Sequence, residues 1–381
     1  MEMKKVLIFT GKFPSYGDDT DGGSILISSL ISALCDSCIL DVVFTRTKRA
    51  EFESIAGVRR VSFETYKHHP EDKFLRRLTN KTQLLSRIKR DIDSYDMLII
   101  THCSKAFGIE DLTEDQRSKI ILFPMYLSPS YERSGEIPPS EYKECEQRAL
   151  VSVGKILTPS DSEKEDMVKL LHVDEKKITV IPRGYSSLIK QHVRGVKSSF
   201  NLLYIASIKE QKNTKEAIVL TKELRDKGLN VFLNLAGSFQ NERVLADCKS
   251  YITENHLEGV VKFHGVLSQA RLAKLIEASY INLSVSNWET YGRGIFEGMA
   301  GGLPTVVYDR LECVKQYLKD GAGIRFVPNH KVFLSELKRL CEDRNYYIAM
   351  ARLAMQSVEH LSEAHEKDRL LNALFNNTKT E

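Results

Sequence analysis

Short apolar runs alternate with longer amphipathic stretches along most of the chain. The runs at 5–10, 39–44 and 97–101 are almost continuously apolar, which is typical of strands buried on both faces. Further strands are predicted at 119–123, 155–158 and 177–181, and helices at 24–34, 74–90, 139–150 and 161–171. This alternation predicts a parallel sheet that is covered by helices on both faces.

The alternation breaks at 182–184 (Pro-Arg-Gly), and a polar stretch follows to 199. A second series then begins, with strands at 201–206, 230–236, 260–263, 280–285 and 305–307 and helices between them. We therefore predict an α/β protein with two doubly wound domains, 1–184 and 185–360, and a final helix, 361–381, that packs back on the first domain. Ligands of such sheets bind at the carboxyl ends of the strands, so a shared ligand is expected in a cleft between the domains.

Composition is that of an ordinary globular protein, with 42% apolar and 28% charged residues in a chain of 381. No apolar run approaches the roughly 18 residues of a membrane span, and the N-terminal run is too short for a signal peptide. A cytoplasmic location is therefore expected. Cys35 and Cys38 form a lone C-x-x-C pair, for which reduced structural thiols are a better interpretation than a zinc or redox site.

The net charge of +4 conceals a strongly basic stretch at 73–90, which contains no acidic residue. Its apolar residues form one stripe, as in an amphipathic helix. Two interpretations stay open: an ordinary surface helix, or a helix that docks on an anionic membrane surface. Nucleic acid is not an expected partner, because no recognised module surrounds the patch. The residues expected to contact the membrane are Lys73, Arg76, Arg77, Arg87 and Arg90.

The segment 287–304 is the most informative motif in the chain. Glu289 and Glu297 stand on either side of seven residues, and a predicted strand precedes them. Gly292 and Gly294 lie where a short helix is predicted to begin, and 301–304 (Gly-Gly-Leu-Pro) would end it. The start of a helix attracts phosphate, and carboxylates accept hydrogen bonds from sugar hydroxyls. The motif therefore predicts a nucleotide-sugar site.

This motif, together with 263–268 (Phe-His-Gly-Val-Leu-Ser), resembles the retaining glycosyltransferases of family 4, the glycosyl transferases group 1, with their E-x-seven-E signature. The order of segments is similar over nearly the whole chain. The resemblance implies the GT-B fold of two Rossmann-like domains. It also implies that Glu297 binds ribose hydroxyls and that Glu289, as a catalytic residue, holds the donor sugar. Backbone near Val266 would contact the base, and backbone near Tyr291, Gly292 and Arg293 the diphosphate or sugar.

Lys212, just before the helix predicted at 213–227, is a second catalytic candidate. By the same resemblance, its ammonium would neutralise charge on the departing diphosphate. Ser207 occupies a donor-site position at which the family usually has an arginine. The missing cation would then be supplied by Lys209 or Arg293.

The N-terminal half contributes further candidates. Gly22 and Gly23 follow the first strand, where the family's glycine loop approaches the donor phosphates. His102 follows the strand 97–101, and a structural role and a catalytic contact with the donor sugar both stay open. Arg183 would either reach a ligand phosphate or form a hinge salt bridge. The resemblance implies no metal or other cofactor, so Asp18, Asp19 and Asp21 are interpreted as solvated loop residues.

We therefore predict a retaining glycosyltransferase that moves a sugar from a nucleotide diphosphate donor to a hydroxyl of a glycan or lipid-linked acceptor. Synthesis of cell-surface polysaccharide or glycolipid is the expected setting, with the enzyme on the inner face of the membrane. Two alternatives stay open. One is a non-catalytic regulatory subunit that binds sugar nucleotides, which Ser207 would support; the other is a sugar phosphorylase or hydrolase.

Overall fold

The computed structural model describes residues 3–15, 22–65, 71–195 and 197–375. Contacts within these ranges divide the chain into two compact units. The N-terminal unit comprises 3–15, 22–182 and 367–375, and the C-terminal unit comprises 183–195 and 197–366. The boundary predicted after residue 184 lies two residues from this division.

In the described part of the N-terminal unit, seven parallel strands form one sheet in the order β3-β2-β1-β4-β5-β6-β7. The strands are Lys5–Thr10 (β1), Ile39–Phe44 (β2), Arg60–Phe63 (β3), Met97–Thr101 (β4), Ile120–Phe123 (β5), Lys155–Thr158 (β6) and Ile178–Val180 (β7). The helices are Gly22–Leu34 (α1), Lys73–Thr79 (α2), Lys81–Asp91 (α3), Glu114–Ser118 (α4), Ser128–Arg133 (α5), Ser140–Ser152 (α6) and Asp161–Leu171 (α7).

Apolar side chains of this sheet alternate between two hydrophobic clusters. Leu7 and Leu98 belong to one cluster, whereas Ile8 and Ile99 belong to the other. Because successive side chains of a strand point to opposite faces, the two clusters lie on the two faces of the sheet. Because both faces of the strands are buried, their sequences are continuous apolar runs.

The C-terminal unit has a second parallel sheet, with six strands among the described residues, in the order β10-β9-β8-β11-β12-β13. The strands are Phe200–Ile205 (β8), Val231–Ala236 (β9), Val261–Gly265 (β10), Ile281–Ser284 (β11), Thr305–Tyr308 (β12) and Ile324–Val327 (β13). The helices are Thr214–Asp226 (α8), Glu242–Glu254 (α9), Gln269–Ala278 (α10), Arg293–Ala300 (α11), Glu312–Lys315 (α12), His330–Glu342 (α13) and Arg344–Val358 (α14).

Each sheet has one point where the strand order reverses. In the first sheet it lies between β1 and β4, and in the second between β8 and β11. Loops at the carboxyl ends of the strands diverge at such a point, which makes it the usual ligand site of a doubly wound sheet. The predicted α/β class with two doubly wound domains is confirmed.

The last helix, Glu363–Phe375 (α15), belongs to the N-terminal unit from residue 367 onward. Its Leu370 and Leu374 are buried in the same cluster as Ile8. The packing of this helix places the C-terminal segment on the N-terminal sheet.

Two helix predictions need correction. The helix predicted at 74–90 is two helices, α2 and α3, which meet at Asn80. Thr79 and Asn80 are weak helix formers, and the Asn80 amide donates to the carbonyl of Leu78 as well as to that of Arg76. Gly22 and Gly23 lie in the first turn of α1, where a loop was predicted; residues 16–21, with the three aspartates, lie outside the described residues.

In the described ranges, no helix is long and apolar enough to cross a membrane. Those same residues contain no group of three or more His, Cys, Asp and Glu side chains placed to hold a metal ion. Cys35 and Cys38 are free thiols. Burial raises the pKa of the Cys38 thiol to about 11, which keeps it protonated at neutral pH.

Candidate functional site

The predicted motif lies at the carboxyl edge of the C-terminal sheet, in the loop and helix that follow β11. Gly292 precedes α11 with a φ of 84°, a conformation that residues with a side chain rarely adopt. A Cβ atom on Gly294 would lie 2.6 Å from the carbonyl oxygen of Ile205 at the end of β8. Glycine at these two positions lets the first turn of α11 approach the sheet edge at the reversal point.

Lys212 and Glu289 form an ion pair across this reversal point. The ammonium Nζ lies 2.6 Å from each of the two carboxylate oxygens, and the side chains are 13% and 12% exposed. Lys212 ends a 3₁₀ turn after β8, and Glu289 lies in the loop after β11. The two residues are 77 positions apart, and the reversal of strand order brings them together.

Hydrogen bonds fix both partners of this pair. The Ser286 hydroxyl donates to Glu289 Oε1 over 2.7 Å. The Tyr204 hydroxyl donates to the Lys212 carbonyl over 2.7 Å and lies 2.7 Å from Ser286 Oγ. Burial raises the pKa of Tyr204, and the charge of Glu289 adds to the effect, so this hydroxyl remains a hydrogen-bond donor at neutral pH.

Glu297, the second carboxylate of the motif, is 3% exposed. Its Oε1 lies 3.2 Å from Arg293 Nε, one turn earlier in the same helix. Burial raises the pKa of Glu297, and the Arg293 guanidinium opposes that rise. Neither Arg293 Nε nor Glu297 Oε1 has a hydrogen-bond partner among the described residues, so this contact is an ion pair without hydrogen-bond geometry.

The charged groups surround a small cavity of about 100 Å³. Lys212, Glu289 and Arg293 line it together with Gly292 and Gly294. The cavity thus combines cations, a carboxylate and the start of a helix. Such a start adds partial positive charge from the amides of its first turn, which suits an anionic group bonded to a polar one.

The other donor-site candidates lie at the same sheet edge. Ser207 and Lys209 are in the turn after β8, and Val266 is 37% exposed directly after β10. The Tyr291 ring is buried, and its hydroxyl donates to the Arg183 carbonyl over 2.7 Å. Only the backbone of Tyr291 is therefore left for the predicted ligand contact.

Arg183 forms a salt bridge with Glu366 inside the C-terminal unit, at the first and last residues of its described range. Its Nε lies 3.0 Å from Glu366 Oε1, and Glu366 Oε2 accepts the Gly184 amide over 2.8 Å. Burial lowers the pKa of Arg183, and the carboxylate of Glu366 opposes the decrease. The contact of this side chain with a ligand phosphate stays a prediction, and it would require the guanidinium to leave Glu366.

His102 lies at the carboxyl edge of the N-terminal sheet, directly after β4 and next to its reversal point. Its Nδ1 accepts the Ser104 amide over 3.2 Å, and its Nε2 has no partner among the described residues. Burial and the nearby cations Arg77, Lys105 and Lys12 lower its pKa well below the usual value. The ring is therefore neutral, and its proton is on Nε2.

Most apolar residues of the basic stretch pack against the core, although Leu75 is 51% exposed, which narrows the basis of the membrane interpretation. Phe74, Leu78 and Ile88 are buried in the core. Arg87 forms ion pairs with carboxylates, and Arg77 donates to two tyrosine hydroxyls. Neither arginine is available to a bilayer. The exposed cations of the stretch that a membrane surface could still contact include Arg76, Lys89 and Arg90.

Sequence reasoning missed three groups that contact this site. Ser286 and Tyr204 support the ion pair, and Arg310 donates to the carbonyls of Ser286 and Val285 over 3.1 and 3.2 Å. Arg310 follows β12 by two residues, so its position at a strand end was the available signal. Ser286 and Tyr204 carry no local signal, because their contacts depend on strand order.

Two Rossmann-like units, each with one reversal of strand order, are the architecture of the GT-B fold. Residues 188–356, less than half of the chain, match the family model described as "Glycosyl transferases group 1". No curated protein sequence matches the chain.

Several solved structures are similar over nearly their full length. Sucrose-phosphate synthase from Thermosynechococcus elongatus has a TM-score of 0.80 at 14% identity, covering 98% of this chain and 99% of that one. Anabaena Alr3699/HepE, in complex with UDP and glucose, has a TM-score of 0.76 at 14% identity, covering 97% and 99%. WaaG, a glycosyltransferase involved in lipopolysaccharide biosynthesis, has a TM-score of 0.73 at 13% identity, covering 97% and 100%. At these identities the likeness shows the fold alone.

Proposed function

We propose that the chain is a retaining, metal-independent glycosyltransferase that uses a nucleotide diphosphate-sugar. The observation that carries the proposal is the Lys212–Glu289 pair beside the start of α11, at the reversal point of the C-terminal sheet. Synthesis of a polysaccharide or glycolipid is the proposed setting. WaaG, which shares the fold, is described as acting in lipopolysaccharide biosynthesis.

The charges suggest how these residues would act. Lys212 would turn from Glu289 toward the departing diphosphate, whose developing charge an ammonium stabilises. Glu289 would then accept hydroxyls of the donor sugar in place of the ammonium. Glu297 would accept ribose hydroxyls once Arg293 has turned toward the phosphates. In this scheme Arg293 supplies the cation that Ser207 does not.

Retention is proposed through attack of the acceptor hydroxyl on the face that the diphosphate leaves, with the departing phosphate as base. Glu289, the carboxylate that lines the small cavity, is assigned here to the hydroxyls of the donor sugar and not to a covalent intermediate. Catalysis would therefore rest on positioning and on stabilisation of the leaving group.

The first test is a screen for release of nucleoside diphosphate by the full chain. UDP-hexoses come first, because HepE has been solved with UDP-glucose. Lys212→Ala should lower the release rate about 10- to 150-fold, the loss of one charge-assisted contact. Lys274→Ala, an exposed position on α10, is the matched control. Equal rates in the two variants would refute the role of Lys212.

Glu289→Gln gives a second, opposite expectation. Removing the carboxylate releases Lys212, so UDP should bind at least as tightly as to the wild type while turnover falls. Binding can be followed by fluorescence of Trp288, the single tryptophan of the chain, which is adjacent to Glu289. Weaker UDP binding in Glu289→Gln would contradict the exchange of partners.

The alternatives predict different outcomes in the same assays. In a non-catalytic binding subunit, a sugar nucleotide would quench Trp288 fluorescence, but no nucleoside diphosphate would be released. Lys212→Ala would leave this absence of release unchanged. A phosphorylase would require inorganic phosphate for turnover. Chelation with EDTA should leave the rate unchanged, and NMR of the product should show the anomeric configuration of the donor.

A further inference from the structure

Two backbone carbonyls at the base of the motif loop are buried just beyond the end of the sheet ladder. The pairing of β11 with β12 ends at Ser284, opposite Val307. Val285 and Ser286, which follow β11, are fully buried, yet none of the described backbone amides donates to the carbonyl of either residue. A buried carbonyl without a donor is costly, so a side chain is needed to satisfy these two.

Arg310 supplies both of the hydrogen bonds. Its Nε donates to the Ser286 carbonyl over 3.1 Å, and its Nη2 donates to the Val285 carbonyl over 3.2 Å. The guanidinium thus continues the β11–β12 ladder past the last paired residues of the two strands. Because a guanidinium is planar and presents its donors as a rigid fork, this one side chain fixes two successive peptide groups.

The Arg310 side chain lies over a buried aromatic ring. Its Cζ is 4.1 Å from the centroid of the Tyr308 ring, at the end of β12. Tyr308 is buried, and its hydroxyl donates to Glu216 Oε1 on α8. The same oxygen lies 2.8 Å from His330 Nδ1 on α13. The ring is therefore held in place, and the cation–π contact positions the guanidinium above it.

The two peptide groups that Arg310 holds flank Ser286, whose side chain contacts the ion pair of the site. The Ser286 hydroxyl donates to Glu289 Oε1 over 2.7 Å. Glu289 in turn contacts Lys212 Nζ over 2.6 Å. A rotation of the Ser286 backbone would move this hydroxyl away from the carboxylate. The position of the ion pair therefore depends on Arg310 as well as on its own two members.

We propose that Arg310 is a positioning residue: its two donors hold the peptide groups of Ser286 and so keep Glu289 and Lys212 in the geometry that turnover requires. Its role in turnover rests on the proposed glycosyltransferase function. Its role in holding the loop does not, because that role follows from contacts inside the C-terminal unit. The two parts are therefore tested separately.

The loop arm follows hydrogen exchange of the full chain by mass spectrometry, without ligand. The Asn287 amide donates to the Gln211 carbonyl over 2.8 Å, so its exchange reports opening of the loop. In Arg310→Gln, exchange in the segment 285–291 should be about tenfold faster or more, because two buried carbonyls lose their fork of donors. Exchange in α9, which connects β9 and β10, should not change. Equal exchange of 285–291 in wild type and Arg310→Gln would overturn the proposal.

Two variants give the loop arm its controls. Arg352→Gln removes an exposed guanidinium from α14 and should leave exchange of the loop unchanged. Arg310→Lys keeps the positive charge but replaces the fork by a single ammonium, so it should restore only part of the protection. Full protection in Arg310→Lys would show that charge alone is sufficient and would overturn the role of the two donors.

The turnover arm measures release of nucleoside diphosphate with a donor that the wild type uses. Arg310→Gln should lower kcat about 10- to 100-fold, because small displacements of catalytic groups slow a reaction strongly, and should change the donor KM less than about threefold. Arg310 is exposed, so added methylguanidinium should reach the gap in Arg310→Ala and raise its kcat. The kcat of Arg352→Ala should equal that of the wild type and should not respond to methylguanidinium.

A role in stability alone predicts a different result. It would lower the folded fraction of Arg310→Gln, measured by Trp288 fluorescence, and leave kcat per folded molecule unchanged. That result would overturn the positioning role. If the wild type releases no nucleoside diphosphate with any donor, the proposed function fails, and hydrogen exchange still decides whether Arg310 holds the loop.

Discussion

The Lys212–Glu289 pair should be strongly coupled in a double-mutant cycle. The perturbations are Lys212→Met, Glu289→Gln and the two together, chosen because they remove charge and keep most of the side-chain volume. At 2.6 Å and an effective dielectric constant of about 20, the attraction is roughly 6 kcal/mol before desolvation. Desolvation of two nearly buried ions offsets much of it, which leaves a coupling of about 1–3 kcal/mol.

The two single variants should lose similar amounts of unfolding free energy, but for different reasons. Lys212→Met leaves Glu289 with the hydrogen bond from the Ser286 hydroxyl but without a cation, and an uncompensated, nearly buried charge costs about 3–5 kcal/mol. Glu289→Gln likewise leaves the Lys212 ammonium nearly buried without a counter-charge. The double variant should be less destabilised than the sum of the two, because neither charge then remains.

Urea unfolding followed by Trp288 fluorescence measures this cycle. The chain has a single tryptophan, and it lies in the motif itself, so the signal reports the C-terminal unit. Equal denaturant slopes in the four proteins are needed before free energies of unfolding are compared. A coupling energy below about 0.5 kcal/mol, the scatter of independent sites, would refute the pairing.

Three further outcomes are expected from buried and exposed charges. Burial raises the pKa of Glu163 to about 7, so its contribution to stability is complete below about pH 4.5 and is lost as pH rises through 7. In Glu163→Gln the free energy of unfolding should therefore change by about 3 kcal/mol less between pH 5 and 8 than in the wild type. Glu366→Ala should lower the free energy of unfolding by about 3–5 kcal/mol, because it leaves the Arg183 guanidinium buried without its carboxylate; a loss under 1 kcal/mol in a urea titration would contradict this. Because most apolar residues of the basic stretch are buried in the core, any binding to anionic vesicles should be electrostatic. Lys89→Ser combined with Arg90→Ser should therefore weaken vesicle binding in a flotation assay about 30-fold, and high salt should abolish it. Unchanged flotation of that double variant would reject this surface.

Most strands and the motif helix could be predicted, because their signals are local. The continuous apolar run at Lys5–Thr10 and the glycines around Arg293–Ala300 require no knowledge of distant residues. The ion partners that are distant in sequence could not be predicted, because they depend on the tertiary arrangement of the chain. Glu366 is 183 positions from Arg183, and no local pattern relates them.

The apolar stripe of the basic stretch was a correct local signal, but the sequence did not show which surface the stripe faces. Phe74, Leu78 and Ile88 face the core of the N-terminal unit, whereas Leu75 is exposed. Arg76 and Arg77 were placed on an outer face, yet they line a cavity with Lys12, Arg46 and Lys105 from separate segments. Their convergence follows from the carboxyl ends of β1, β2 and β4 meeting at one sheet edge, which charge counting along the chain does not reveal.

The cations at the C-terminal reversal point already contact carboxylates, and this predicts which ligands bind there. In the C-terminal unit, Lys212 and Arg293 each contact a carboxylate of the motif, so a diphosphate must displace Glu289 and Glu297 from them. Sugar and ribose hydroxyls would supply new partners for those carboxylates, so a complete nucleotide-sugar should bind better than its diphosphate portion. Pyrophosphate should therefore quench Trp288 only at higher concentration than a complete nucleotide-sugar does, and equal potency would show that the motif's ion pairs open without help from the sugar.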